Sequence, residues 1–166
     1  MLVTLLLTLT AAAEGPAGSA TVYGAAVGLK EAATHDIRFA GGAHVENDMG
    51  PGNAAVDLYV ARGFDRGTGY EFHTANVRLA ALYGWSGGSR SFDMNFGVGP
   101  GIAARVGNFE AGGEKTAIFN VEPALRARMG LIGPIVGPLA ASWHMGLTAR
   151  PGGVDYDAGL GLGVWW

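Results

Sequence analysis

Ser142 and His144 are the two residues of this chain that most resemble part of a catalytic group. They stand two positions apart in a stretch where apolar and polar residues alternate, so they are predicted to share one face of a β-strand. The carboxylates Asp155 and Asp157 follow on the next predicted strand. A serine, a histidine and an acid on one face could activate a hydroxyl for attack on an ester. A hydrolase that uses Ser142, His144 and Asp155 is therefore one candidate function.

A larger set of ionisable residues of both signs occupies the polar phase of the same alternating pattern. Charges removed from water must be paired and hydrogen-bonded, or they cost several kcal/mol. The mixture of signs therefore favours an internal charge network, and Arg126 and Arg128 are expected to pair with Glu122, Asp155, Asp157 or Asp93. The network is predicted to contain Arg38, Asp57, Arg78, Asp93, Arg105, Glu122, Arg126, Arg128, Asp155 and Asp157.

Composition narrows the remaining functions. The 166 residues are typical of one domain, and the net charge of −3 gives no basic footprint for nucleic acid. There is no cysteine, which excludes disulfides and thiolate metal sites. The four histidines lack ligand spacing such as His-Glu-x-x-His, so neither a metal site nor a cofactor is predicted.

The N-terminal segment "MLVTLLLTLTAAA" is typical of a secretory signal peptide. Its apolar core is too short to span a bilayer as a helix, and Ala11 to Ala13 supply the small residues of a cleavage site. We predict a signal peptide over 1–13, a short flexible segment over 14–19 and a barrel domain over 20–166. A buried N-terminal strand or helix is the alternative.

The rest of the chain has a period of two. It predicts strands over 20–30, 36–46, 54–64, 70–85, 90–106, 116–129, 139–148 and 156–166, with "GLIGP" as one of the turns. In the first strand, Tyr23, Ala25, Val27 and Leu29 form the apolar face. A change of phase within the fourth strand predicts a bulge near His73–Asn76. Pro100 and Pro123 predict bulges or frayed pairing, or else "GVGPG" is a turn that changes the strand count.

Three features indicate that the apolar faces point outward. Several strands reach about ten residues, the length that a tilted strand needs to cross hydrocarbon. The opposite faces carry charge in mid-strand, mixed with glycine and alanine. Aromatic residues collect near strand ends, as in membrane-interface girdles. We therefore predict an all-β fold, an eight-stranded antiparallel up-and-down transmembrane β-barrel.

The last eleven residues, "YDAGLGLGVWW", carry the most specific signal. The chain ends in an alternating strand on an aromatic residue, with Tyr156, Leu160, Leu162, Val164 and Trp166 in one phase. In this it resembles the small eight-stranded outer-membrane barrels of Gram-negative bacteria, the OmpA/OmpX/OmpW-like group, although the usual last residue there is Phe. The resemblance implies outer-membrane localisation with both termini in the periplasm. It also implies a terminal strand read by the barrel-assembly machinery.

The leading functional prediction is an integral outer-membrane barrel with a structural or narrow-channel role, because eight strands leave an interior only wide enough for side chains. Its expected partners are outer-membrane lipids and the assembly machinery, with no nucleic acid, and the expected state is a monomer. Two alternatives remain. One is an outer-membrane lipid hydrolase, although Ser142 and His144 face the lumen and the deacylase order of His and Ser is not met. The other is a secreted lipocalin-like barrel for a small ligand.

Overall fold

The computed structural model of this chain describes residues 17–31, 34–50, 52–89 and 92–166. The predicted signal peptide and residues 14–16 lie outside the described residues. Eight β-strands make up nearly all of the described chain: β1 (Gly18–Glu31), β2 (Thr34–Asp48), β3 (Asn53–Gly67), β4 (Tyr70–Ser89), β5 (Phe92–Ala111), β6 (Glu114–Val136), β7 (Leu139–Arg150) and β8 (Gly153–Trp165). Within the described ranges, no helix has the length and apolar character needed to cross a membrane.

The eight strands form one closed antiparallel barrel. Each strand pairs with the next along the chain, and β8 returns to pair with β1 from Ser19–Trp165 to Leu29–Asp155. Closure leaves no sheet edge around the body of the barrel, so backbone N–H and C=O groups find partners without water. The predicted all-β, eight-stranded, up-and-down barrel is confirmed.

Side chains alternate strictly between the outside of the barrel and its lumen. On β2 and β3, for example, Phe39 is 86% exposed and Leu58 39%, whereas Asp57 and Tyr59 are 1% exposed. The outward aromatic residues concentrate toward the two ends. Tyr83, Trp85 and Phe92 lie toward the end that carries the termini, and Phe39, Phe119 and Tyr156 lie toward the opposite end.

In β1 the prediction was wrong: the face that was expected to be apolar and to point outward points inward. Tyr23, Ala25 and Val27 are almost fully buried in the lumen, while Val22 is 66% exposed on the outside. The sequence pattern was misleading because β1 places mostly small residues outward and because Tyr23 is amphipathic. The Tyr23 hydroxyl hydrogen-bonds Asp57 across the lumen at 3.2 Å. The side chain of Leu29 lies outside the described part of the structure.

The bulge predicted near His73–Asn76 does not occur. β4 keeps one register with β3 from Tyr70 to Gly84 and with β5 from Tyr70 to Ala80. Tyr70 and Phe72 therefore belong to the inward phase, and both pack on Phe109, with ring centroids 6.3 and 6.4 Å away. The apparent change of phase arises because this end of β4 is lined by an aromatic cluster rather than by the polar lumen.

The two mid-strand prolines have different consequences. At Pro100 the β4–β5 pairing lapses between Ala80–Gly101 and Tyr83–Val98 without a shift of register, which confirms frayed pairing there. Because β5 continues through this point, the alternative of a turn at "GVGPG" is wrong. Pro123 lies just beyond Leu125–Ala149, where pairing of β6 with β7 begins, so no bulge forms there.

Most strands extend beyond their predicted bounds, as β4 does to Ser89 and β5 to Ala111. β1 begins at Gly18, two residues earlier than predicted. β6 continues through "GLIGP" to Val136, with a register shift between Pro134 and Val136. The turn is instead formed at Gly137, whose φ of 54° lies in the left-handed region that favours glycine.

The barrel is taller on one side. β4, β5 and β6 have 20, 20 and 23 residues, against 12 and 13 for β7 and β8. In β6 the extra length lies at the end opposite the termini, where this strand extends from Leu125 up to Glu114 beyond its pairing with β7. We call the inward surface of this extension the tall wall. It forms one side of the lumen mouth.

The C-terminal residue completes the closure of the barrel. The N–H of Trp166 donates to the C=O of Gly18, and the N–H of Gly18 donates to the C=O of Trp166, each at 3.0 Å. The indole lies against Gly18. Its Nε1 is buried without a hydrogen-bond partner among the described residues. The other members of the predicted terminal signal point outward, with Tyr156, Leu160 and Leu162 at least half exposed and Val164 less so.

Deletion of Trp166 should weaken the barrel, whereas Trp166→Phe should be nearly neutral. Deletion removes two backbone hydrogen bonds, each worth about 0.5–1.5 kcal/mol. Phe keeps both bonds, and loss of the unpartnered indole N–H forfeits no hydrogen bond. Urea unfolding in detergent, followed by heat-modifiable migration on gels, measures the difference. Equal midpoints for the deletion and the wild type would show that this terminal rung does not contribute to stability.

Candidate functional site

The guanidinium of Arg126 lies at the centre of the lumen and is the most extensively paired group there. Its Nε donates to Asp57 at 2.5 Å, and Nη1 and Nη2 donate to the two oxygens of Asp157 at 2.7 and 3.1 Å. Nη1 also contacts the Thr148 hydroxyl at 3.1 Å, and the guanidinium stands 5.2 Å from the centre of the Tyr59 ring. Arg126 is only 1% exposed, so this pairing offsets its loss of hydration.

We call Arg126 and its partners Asp57, Asp157, Thr148 and Tyr59 the central cluster. Two histidines extend this cluster through the same carboxylates. His44 Nδ1 lies 3.3 Å from Asp57, and its Nε2 lies 3.3 Å from Glu46. His144 Nε2 lies 3.3 Å from Asp157, and the ring packs edge-on against Tyr23 at 4.3 Å between centroids. These groups fill the cross-section of the barrel at mid-height.

Below the centre, toward the termini, Glu46 anchors a smaller polar group. Asn53 and Asn95 each donate a side-chain amide N–H to Glu46, the latter at 2.5 Å. Asp93 lies beside this group at the mouth of the barrel and is half-buried, near Glu46 and Trp165. Arg128 reaches Asp57 only at 3.5 Å.

Above the centre, toward the tall wall, Arg150 links two carboxylates. It donates to both oxygens of Asp155 at 3.1 and 3.2 Å, and to Glu122 at 3.3 Å. Arg78 is also paired with Asp155, and Asn120 donates to Glu122 at 2.8 Å. Arg105 on β5 donates to Asn76 on the neighbouring β4 at 3.3 Å, and Arg38 on β2 donates past β3 to Thr74 on β4 at 2.9 Å.

Glycines on the lumen face make room for these large side chains. A Cβ at position 146 would lie 2.8 Å from the Arg126 guanidinium, and one at position 63 would overlap the guanidinium of Arg38. A Cβ at position 159 would lie 2.7 Å from the His144 ring. Glycine is thus required here by space rather than by backbone dihedral angles.

The structure groups the predicted residues differently from the sequence-based pairing. Arg126 does contact Asp157, but its other carboxylate is Asp57, and Glu122 binds Arg150 rather than Arg126 or Arg128. Arg150 was missed because it falls between the predicted strands 139–148 and 156–166. Period two alone could have identified His44 and Glu46, since both lie in the inward phase of β2. The period of two also places Tyr59 inward, in the phase of Asp57, whereas Tyr23 was assigned to the apolar face that was expected to point outward.

The Ser142, His144 and Asp155 hypothesis does not match the observed contacts. His144 lies against Asp157, and Asp155 is held by Arg78 and Arg150. Ser142 Oγ has no hydrogen-bond partner in the described part of the chain, so no histidine is placed to accept its proton. Among the described residues, no group of three histidine or carboxylate side chains could hold a metal ion.

A double-mutant cycle on Asp57 and Arg126 should show coupling of about 1–3 kcal/mol in the free energy of unfolding, because the two groups share a buried ion pair. The variants are Asp57→Asn, Arg126→Met and their combination, measured by urea unfolding in detergent. The control cycle uses Glu122→Gln with Arg126→Met and should be additive within about 0.5 kcal/mol, since Glu122 binds Arg150. Coupling in the control cycle that equals the first would contradict this assignment of partners.

The sequence matches no family model, and no curated protein sequence is significantly similar to it. Several solved structures share the fold. Ail, the attachment invasion locus protein of Yersinia pestis, is 12% identical, with a TM-score of 0.70 over 92% of this chain and 99% of that one. Neisserial surface protein A is 10% identical, with a TM-score of 0.64 over 89% and 96%. A major outer membrane protein of Thermus thermophilus is 11% identical, with a TM-score of 0.62 over 90% and 100%. The chain thus has the fold of the small eight-stranded outer-membrane β-barrels.

Proposed function

We propose that this protein is an integral outer-membrane barrel with a closed lumen and a structural rather than a pore-forming role. The observation that carries the proposal is the inversion of polarity between the two faces of the sheet. Phe119, Leu160 and Leu162 are 76%, 69% and 56% exposed, whereas Asp57, Arg126 and Asp157 are at most 4% exposed. An apolar exterior around a charged interior is stable in lipid and costly in water.

The same polarity argues against the lipocalin-like alternative. A soluble barrel that binds a small apolar ligand needs an apolar lumen and a polar exterior, and this chain has the reverse. The two aromatic groups at opposite ends of the outer surface further support a membrane position, because such rings favour the interfaces between lipid and water. The outer-membrane location of the structural neighbours supports the same compartment.

The central cluster supports a closed lumen. Arg126 bridges from β6 to Asp57 on β3 and Asp157 on β8, and Tyr59, Tyr23 and His144 fill the space around it. An eight-stranded barrel has an interior only wide enough for side chains. Passage of a solute would require breaking buried ion pairs, at several kcal/mol each.

Orientation and assembly follow from the proposal. Both termini are placed in the periplasm, which puts the tall wall at the cell surface. The terminal strand that ends at Trp166 is then the segment that the barrel-assembly machinery recognises, and outer-membrane lipids are the direct partners. The barrel closes within one chain, and we expect it to be a monomer.

Leu160→Arg should prevent stable insertion in lipid, at a cost of roughly 2–4 kcal/mol near the membrane midplane. Leu160 suits this test because it pairs with Gly24 and Trp143, close to the middle of β1 and β7. Folding into phospholipid vesicles, scored by heat-modifiable migration, measures the effect, with Leu160→Val as the matched apolar control. Equal folding of Leu160→Arg and Leu160→Val would contradict the lipid-facing assignment.

The wild-type barrel should give no steady conductance in planar lipid bilayers and no swelling of liposomes in small sugars. Replacement of Arg126 and Asp157 by alanine together removes both members of one ion pair and should open a narrow conducting path. Glu122 lies above the central cluster, so Glu122→Gln should leave the barrel closed. Steady conductance of the wild type at the level of the double variant would contradict a closed lumen.

A further inference from the structure

An elongated apolar depression crosses the outer surface of the barrel from Phe96 on β5, over β6, β7, β8 and β1, to Ile37 on β2. Its volume is about 550 Å³, within the range of about 300–1,000 Å³ that is typical of ligand clefts in proteins. We call it the outer groove. It lies on the face of the sheet that is turned toward lipid, so whatever occupies it comes from the membrane.

Two adjacent rows of outward residues, which follow the register across the strands, form the outer groove. The first row consists of Met129, Met145, Ala158 and Ala26. The second row consists of Ala127, Leu147, Tyr156 and Gly28. Each row combines long side chains with alanine or glycine, so the long side chains form the rims and the small residues form the floor.

The floor of the outer groove carries no charge. Arg128 and Asp157 lie between the two rows, but their side chains point into the lumen and are at most 4% exposed. Only their backbone reaches the groove, next to the methyl groups of Ala26 and Ala158. The ring of Tyr156 lies over Gly28, where a Cβ would overlap it. The groove therefore offers apolar contacts on its floor and on both sides.

The outer groove descends along the barrel wall. Ile37 lies eleven residues above the end of β2 at Asp48, whereas Phe96 lies four residues above the start of β5 at Phe92, and both of these strand ends are on the side of the termini. The upper end of the groove therefore opens close to the β1–β2 turn, beside Tyr156, which belongs to the aromatic group at that interface. From there the groove runs toward the depth of Leu160, near the membrane midplane. It thus spans the depth of the one leaflet that lies on the side of the tall wall.

We propose that the outer groove binds one acyl chain of a lipid whose headgroup lies in the leaflet on the side of the tall wall. The inference rests on the proposed function, which makes this the outer leaflet of the outer membrane. A chain in the groove is contacted on three sides, whereas a chain against the convex remainder of the barrel is contacted on one, so it gains additional van der Waals contacts. Met129 and Met145 are flexible and can adapt to the shape of the chain.

The test uses the mature chain folded into phosphatidylcholine vesicles that contain a small fraction of phosphatidylcholine with a photoreactive diazirine on one acyl chain. After illumination, mass spectrometry of peptides locates the label. We expect it to be concentrated on β6, β7, β8 and β1 rather than on the outer face of β3 and β4, where Val56, Leu58 and Leu79 are also apolar and exposed. A diazirine near the carbonyl should label the end of the groove at Ile37 and Tyr156, and one at the methyl end should label the end at Phe96 and Met129.

Filling the floor of the groove should remove this preference. Ala26 and Ala158 are exposed and stand directly opposite each other on β1 and β8, so Ala26→Leu combined with Ala158→Leu places two larger apolar side chains in the groove. Labelling of β6, β7 and β8 should fall about ten-fold, the change that roughly ten lost van der Waals contacts produce. Ala81→Leu on β4 is the matched control, because Ala81 is also exposed on the outer face but lies outside the groove, and it should be labelled like the wild type.

Equal labelling of the two sides of the wild-type barrel would overturn the proposal, and so would a reversed order of the two diazirine positions along the groove. A dimer in mild detergent that the double leucine variant disrupts would assign the groove to a second copy of the chain and would overturn it as well. Heat-modifiable migration reports insertion separately. Uniform labelling of an inserted barrel therefore rejects the acyl-chain site alone, whereas failure of the wild type to insert into vesicles rejects the proposed function.

Discussion

The ion pairs of Arg126 with Asp57 and Asp157 are the interaction around which the interior of this barrel is organised. The three residues come from β6, β3 and β8, so a single guanidinium ties together walls that are not neighbours in the sheet. Backbone hydrogen bonds hold each strand only to the next, and they resist flattening of the barrel weakly. Cross-lumen ion pairs supply that resistance, and in a low-dielectric surrounding they are stronger than at a protein surface.

The size of these groups explains the unusual abundance of glycine on the inner face. An arginine that must lie flat across a narrow lumen needs an adjacent position without a side chain. Position 146 serves Arg126 in this way, and position 63 serves Arg38. On the outer face, a Cβ at Gly24 would meet nothing within 4 Å, whereas one at Gly28 would overlap the ring of Tyr156. On the inner face, glycine therefore makes room for large side chains. At Gly24 on the outer face, no neighbouring side chain needs that room.

Architecture was predictable from the sequence because period two, strand length and an aromatic terminus are local signals. The pairing of charged residues inside the lumen was not predictable, because the register around a closed barrel decides which charges meet. Glu122 and Arg126 stand on the same strand in the same phase, yet Glu122 lies higher and binds Arg150. The face of the sheet that carries Tyr23 was not predictable either. Its ring suits either lipid or a packed interior, and only the position of Asp57 opposite its hydroxyl decides for the interior.

The described charged side chains are distributed unevenly along the barrel axis. Among the side chains that the structure describes, Glu46 and Asp93 lie toward the termini, and Glu46 binds the amides of Asn53 and Asn95 and lies beside the ring of His44. Arg38, Arg78, Arg105 and Arg150 lie toward the tall wall, where Asp155 and Glu122 oppose them. The central cluster separates the two regions, so their charges do not neutralise each other by direct contact.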